Sequence, residues 1–155
     1  MATETSKLEI AKEVKCSPHK FYEMIKYTLH HLPTVCPELV PGADIIEGDG
    51  ESVGTVRLWK YVIPGTTEIL EGKEKTEVID DENMLLVLDI YEGDHTDRYA
   101  RFVIKIQVIP KGEGSLVKVT LEYGKAKEGV SDPHHYMDLF AKITDKLEAH
   151  LIAQA

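Results

Sequence analysis

The chain has 155 residues, 43% of them apolar and 29% charged, which suits one globular domain with its own core and excludes a disordered chain. Eighteen basic residues against twenty-seven acidic ones give a net charge of −9 with histidine neutral. With no run of lysine or arginine to offset it, that balance excludes an interface for nucleic-acid backbones or anionic lipid headgroups, both of which need a basic face.

Lys7 to Lys15 alternates apolar and polar residues and reads as a strand. Ser17-Pro18 then supplies a helix-start signal, a capping serine followed by a proline whose missing N–H is harmless at the first helical position. Phe21, Tyr22, Ile25 and Leu29 follow at helical spacing. Pro33, Pro37 and Pro41 recur at four-residue steps and break any long helix, which predicts a second short helix or kinked arm through Val35–Leu39.

From Gly42 to Tyr123 the period becomes two. Runs at Asp44–Glu47, Thr55–Ile63, Glu68–Ile79, Leu85–Tyr91, Phe102–Ile109 and Leu116–Tyr123 are separated by turn residues such as Gly48-Asp49-Gly50, Pro64-Gly65 and Asp81-Glu82-Asn83. Seven strands joined by short turns imply an antiparallel meander, because parallel neighbours need crossovers of about a dozen residues or more. Ser131-Asp132-Pro133 repeats the start signal. Tyr136, Phe140, Ile143, Leu147 and Leu151 then form one apolar stripe on a long helix. The outline is an α+β domain spanning 1–155, in which the last helix covers one face of the sheet.

The strands show which side chains face that helix. Phe102, Ile104, Ile106 and Val108 alternate with polar neighbours, as do Val117, Val119, Leu121 and Tyr123, and Leu86, Leu88 and Ile90. On pattern alone such an interior reads as a filled core. Against that, Arg57, Trp59 and Tyr61 share one strand face, and Glu74 and Thr76 sit among core-compatible positions. Amphipathic side chains turned inward suit a pocket with apolar walls and a few polar anchors.

Ile46 to Thr55 (Ile-Glu-Gly-Asp-Gly-Glu-Ser-Val-Gly-Thr) resembles the glycine-rich loop of the Bet v 1 superfamily, which includes the PR-10 proteins. Lys73-Glu74-Lys75, Asp80 to Asn83, Tyr91 to Asp94, Pro110 to Gly114 and Leu121-Glu122-Tyr123 follow in that family's order over nearly the whole chain, and Glu51-Ser52-Val53 in place of consecutive glycines is similar to its major latex protein branch. The resemblance implies a helix-grip fold: a seven-stranded antiparallel sheet wrapped around a long C-terminal helix, with two short helices and an internal apolar cavity. It also implies a plant intracellular protein, related to defence or stress, that holds a sterol, terpenoid, flavonoid or hormone. The implied ligand-binding walls are Tyr22, Ile25 and Leu29 from the first helix and Arg57, Trp59, Tyr61, Glu74, Leu86, Leu88, Ile90, Phe102, Ile104, Val119 and Leu121 from the sheet. His135, Tyr136, Leu139, Phe140 and Ile143 complete them from the last helix. Leu86 and Leu88 stand where the birch-allergen branch has cavity tyrosines, so the pocket is expected to be more apolar.

Candidate chemistry is sparse. The glycine-rich loop lacks the Gly-Lys-Ser/Thr ending of a phosphate loop, and Glu47, Asp49 and Glu51 oppose an anion there. The pairs His30-His31 and His134-His135 point about 100° apart on a helix, so neither pair chelates one metal ion, and no cofactor is expected. Some members of the superfamily catalyse condensation, isomerisation or cyclisation. Here Arg57, Tyr61, Glu74 and His135 are the candidates to move a proton, and an alternative role is a cofactor-independent cyclase or isomerase of specialised metabolism. Cys16 and Cys36 form no disulfide framework, Met1 to Thr5 lacks the regions of a signal peptide, and no stretch approaches the roughly 18 apolar residues of a membrane span. The expected protein is cytoplasmic, a monomer or weak dimer, with an apolar small molecule as its partner.

Overall fold

The computed structural model describes residues 5–154; the first four residues, on which the signal-peptide expectation rests, lie outside the described residues. Seven strands form one antiparallel sheet: β1 Thr5–Val14, β2 Gly42–Glu47, β3 Val56–Tyr61, β4 Leu70–Asp80, β5 Leu85–Gly93, β6 Tyr99–Lys111 and β7 Gly114–Lys125. Their spatial order is β1-β7-β6-β5-β4-β3-β2, so six strands run as a meander and the first returns to pair with the last. β1 and β7 stay in register over ten residues, from Thr5 opposite Gly124 to Val14 opposite Ser115. Helix α1 is Pro18–Thr28, α2 is Leu32–Val35, and α3, His134–Ala153, lies against the sheet. This is the helix-grip arrangement that the sequence led us to expect.

The period-two pattern explains the layering. In β7, Ser115, Val117, Val119, Leu121 and Tyr123 are buried while the residues between them are half-buried. Fully burying a side chain such as Phe21 or Ile25 stabilises by roughly 1.5–3 kcal/mol. On the outer face, Glu122 bridges Arg101 and Lys105, contacts that contribute little because water screens them.

Three local expectations are corrected. The second helix occupies Leu32–Val35 rather than Val35–Leu39. Pro33 fits its first turn, whereas Pro37 disfavours the helical conformation for Cys36 before it, which stands at φ −146° and ψ 69° and ends the helix. Ser17 stands extended ahead of α1, but its side chain makes no capping bond; its backbone carbonyl accepts from Phe21 N–H at 3.1 Å instead. The start of α3 is likewise uncapped by a side chain, because Asp132 accepts from Tyr123 Oη at 2.6 Å and pairs with Lys125. A one-turn 3₁₀ segment at Asp94–Asp97, unforeseen in the sequence, links β5 to β6.

That link begins at Gly93, whose φ of 142° few side chains adopt and where a Cβ would lie 2.4 Å from the Glu71 carbonyl oxygen. Gly93→Ala should therefore destabilise by about 1–3 kcal/mol from backbone strain alone, read as a lower urea midpoint at unchanged slope.

Candidate functional site

Sheet and α3 do not close completely on each other. A cavity of about 130 Å³ remains between them, roughly ten times the space that one water molecule needs. α1 contributes Ile25 and the 3₁₀ turn after it Leu29, β3 contributes Trp59 and Tyr61, and β4 Glu74. β5 contributes Leu88 and Ile90, β6 Phe102 and Ile104, β7 Val119, and α3 Tyr136, Leu139, Phe140 and Ile143. The sequence singled out all of these. Phe21, Leu32, Val40, Gly72, Ile106, Val117, Thr144 and Leu147 border the same space and were not anticipated. Phe21 precedes Ile25 by four residues, Leu147 follows Ile143 by four, and Ile106 and Val117 alternate with Ile104 and Val119. The periodicity therefore already held them. Leu32 opens the one-turn helix α2 and Val40 lies in the connection after it, both too short to show a period.

Five expected wall residues are placed elsewhere. Tyr22 is buried, but its hydroxyl donates to Asp81 Oδ1 at 2.7 Å, which draws it toward the β4–β5 turn. Leu121 is fully enclosed by packing, so the cavity does not reach it. Leu86 and Arg57 border a separate small void with Gly50, Glu51 and Thr76. His135 packs its ring on Tyr136 at 4.8 Å, and because neighbours on a helix diverge by about 100° it faces aside when Tyr136 faces in.

The polar part of the site is compact. Arg57 and Glu74 face each other across β3 and β4 and form an ion pair at 2.8 Å, with side chains only 4% and 3% exposed. Arg57 Nη1 also donates to Thr76 Oγ1, and Nη2 donates to the Gly50 carbonyl at 2.8 Å, so the guanidinium anchors the glycine-rich loop. A side chain at Gly50 would meet Ile45 at 2.7 Å, and its φ of 85° favours glycine as well. The loop is thus a structural turn held from inside. Burial pushes the Glu74 carboxyl above its usual range, while Arg57 pulls it back. The Trp59 indole lies beside this carboxylate without reaching hydrogen-bond geometry.

At the other end Tyr61 and Tyr136 share one hydrogen bond of 2.6 Å between their hydroxyls. Burial pushes both phenols up, Tyr136 to about 12, so both remain protonated near neutral pH. Tyr136 is positioned indirectly. Tyr99 donates to the Ser131 carbonyl at 2.8 Å and Tyr123 to Asp132, which fixes the segment before α3, and Phe102 stacks edge-on against Tyr136 at 4.8 Å.

His30, His95 and His135 are all held below the ordinary imidazole range, chiefly by burial; neighbouring His31 and Arg57 add to this for His30, and Arg98 for His135. Their folded states bind a proton less readily than the unfolded chain does. The stability they confer is complete above about pH 6.5 and is lost as the pH falls through their lowered values. The urea midpoint should drop between pH 7.5 and pH 5. Among the described residues, no group of three or more His, Cys, Asp or Glu could hold a metal ion, and no helix is long and apolar enough to cross a membrane.

Comparison with known proteins places this geometry. Residues 1–154 match the model of the pathogenesis-related protein Bet v 1 family. Major latex protein 149 of Papaver somniferum is 38% identical over 151 residues, 95% of this chain and 91% of that protein. Some relatives are longer: the chain spans about half the length of the MLP-like proteins 34 and 28 of Arabidopsis thaliana. The crystal structure of ginseng major latex-like protein 151 from Panax ginseng superposes with a TM-score of 0.89 at 32% identity, covering 94% of this chain and 97% of that one. Norcoclaurine synthase from Thalictrum flavum, in complex with dopamine and hydroxybenzaldehyde, gives 0.84 at 26% identity over 99% and 90%. With family model, relatives and fold in agreement, the chain belongs to the Bet v 1 family and to its major latex protein-like branch.

Proposed function

We propose that this protein is a cytoplasmic carrier of an apolar small molecule, held between sheet and α3, with a role in defence or stress. The cavity is the observation that carries the reading: a stable domain gains by filling its interior, and here apolar side chains from all three helices and four strands surround unfilled space. Apolar contact supplies most of the affinity, at roughly 25 cal/mol per Å² buried before ordering costs. The space as it stands suits a substituted single ring or a small terpenoid. A sterol or a flavonoid needs the walls to move apart. Trp59, the sole tryptophan, borders the cavity and reports on it directly. Titration with a fluorescent apolar probe should quench Trp59 saturably, and displacement by small terpenoids, flavonoids and sterols ranks the classes. Absence of saturable binding across all three would overturn the carrier role.

The second reading, a cyclase or isomerase, is supported by the likeness to norcoclaurine synthase. Of the four proton-moving candidates, Tyr61 and Glu74 border the cavity, whereas Arg57 is engaged in its ion pair and His135 faces aside. A dry site of this kind acts by fixing a reactive conformer and excluding water. Turnover decides it: product ratios from reactive dialdehyde, enol or iminium compounds should shift against a protein-free control, and unchanged ratios dismiss catalysis.

A further inference from the structure

Gly50, which Arg57 holds by its carbonyl, is also covered by His30 from the 3₁₀ turn Leu29–His31 between α1 and α2. The imidazole lies against the loop backbone, with Cε1 3.4 Å and Nδ1 3.7 Å from where a Cβ on Gly50 would stand. Nδ1 is shut off from water and has no hydrogen-bond partner among the described residues. A neutral ring can leave a bare lone pair at that position. A protonated ring must place an N–H there, and a buried donor without an acceptor is costly. The charge itself is also badly placed. Of the elements packed on the turn, α2 has no charged residue, β2 offers Asp44 and Glu47, both exposed, and the last charged residue of α1, Lys26, is paired with Asp81. Burial, His31 and Arg57 all oppose a positive charge on His30, and Glu51 alone favours one.

We propose that protonation of His30 releases the glycine-rich loop and opens a route into the cavity. The tip of the loop hangs on Gly50, whose carbonyl accepts from Arg57 and whose N–H donates to Thr55 Oγ1 at 3.3 Å, while Asp49 bonds within the loop to Glu51 and Ser52. Swinging the tip away lets water reach the new N–H and puts a high dielectric between the imidazolium and Arg57, so one movement relieves both penalties. The route follows from the two voids. Gly50 and Glu51 wall the smaller one, and Ile25, Leu29 and Leu88 line both. With the loop released, those three side chains are what separates the cavity from solvent. The purpose of the route, entry and exit of a ligand, rests on the carrier reading; the loop movement stands without it.

The opening has a defined pH dependence. With the loop open, His30 titrates as an ordinary imidazole, near about pH 6.5; with the loop closed it titrates lower. Opening should therefore rise about tenfold per pH unit as the pH falls below the open value, and level off below the closed one. NMR on the intact protein without ligand reads this as exchange of the Gly50 and Thr55 amides, corrected for the intrinsic rate, beside the titration of the His30 ring. His30→Gln, uncharged at every pH, should abolish the rise although His95 and His135 remain, and His31→Gln should retain it. Where the His30 variant does not fold, the match between the plateau and the ring titration of the unmodified protein decides. A stopped-flow arm uses carvone, a small neutral terpenoid, followed by Trp59 fluorescence. Its release rate should rise by the same factor as loop opening and stay flat in His30→Gln. Amide exchange that follows the intrinsic rate alone through the His30 titration, or an equal rise in His30→Gln, overturns the proposal and leaves the carrier role standing. So does a constant release rate while the loop opens. If neither carvone nor a larger apolar ligand binds at any pH, the carrier reading falls, and the exchange data alone decide the loop.

Discussion

Arg57→Met should cost the fold about 3–5 kcal/mol, the usual penalty for stranding one member of a buried ion pair. Glu74 would keep its place in the interior without a counter-charge, and the loop carbonyl of Gly50 would lose its donor at 2.8 Å. The loss should depend on pH. With Arg57 gone its pull is lost and burial raises the Glu74 carboxyl further, so the folded state holds a proton that the unfolded chain releases. Stability from that proton is present at low pH and disappears as the pH rises through the folded value, so the deficit relative to the unmodified protein should be smaller at pH 5 than at pH 8. The histidine contribution is common to both proteins and cancels in the difference. Pairing the change with Glu74→Leu should recover most of the loss, because two apolar side chains can replace a buried pair at little net cost. Urea denaturation at the two pH values measures all of this; a pH-independent deficit of under 1 kcal/mol would mean that the charges are hydrated in solution.

Val119→Phe should abolish binding of a small apolar probe, by tenfold or more, while changing stability by less than about 1 kcal/mol. Val119 borders the cavity, so the added ring enters free space and displaces the ligand instead of neighbouring side chains. Val108 provides the contrast. It is equally buried, one strand away on β6, yet does not border this cavity. The same change there should cost about 1–3 kcal/mol through overpacking. Similar costs at both sites would show that the interior collapses in solution.

These two pairs of residues also show what could be read in advance. The strand count, the long helix and the inward faces of β5, β6 and β7 were legible because period two is enforced wherever one face of a strand is buried. Most of the cavity border followed from the same alternation. The irregular parts were not legible. The shift of α2 depended on which of two prolines could sit inside a turn, a choice fixed by backbone sterics at Cys36. Tyr22 and Leu86 carry the right chemistry at the right spacing, yet one is turned away by a hydrogen bond to Asp81 and the other borders the second void, beyond Ile25, Leu29 and Leu88, which line both. His135 and Tyr136 are neighbours, and only the phase of α3 decides which of them faces in.

The pairing of β1 with β7 has a consequence for how the protein is made. Strand β1 is made well ahead of its partner, which emerges more than a hundred residues later, with α3 made later still. Until then the nascent chain presents an unpaired edge and an uncovered apolar face, the kind of surface that holdase chaperones retain. Its interior is completed only when α3 has docked on the sheet, so whatever it carries is taken up after α3 has been made.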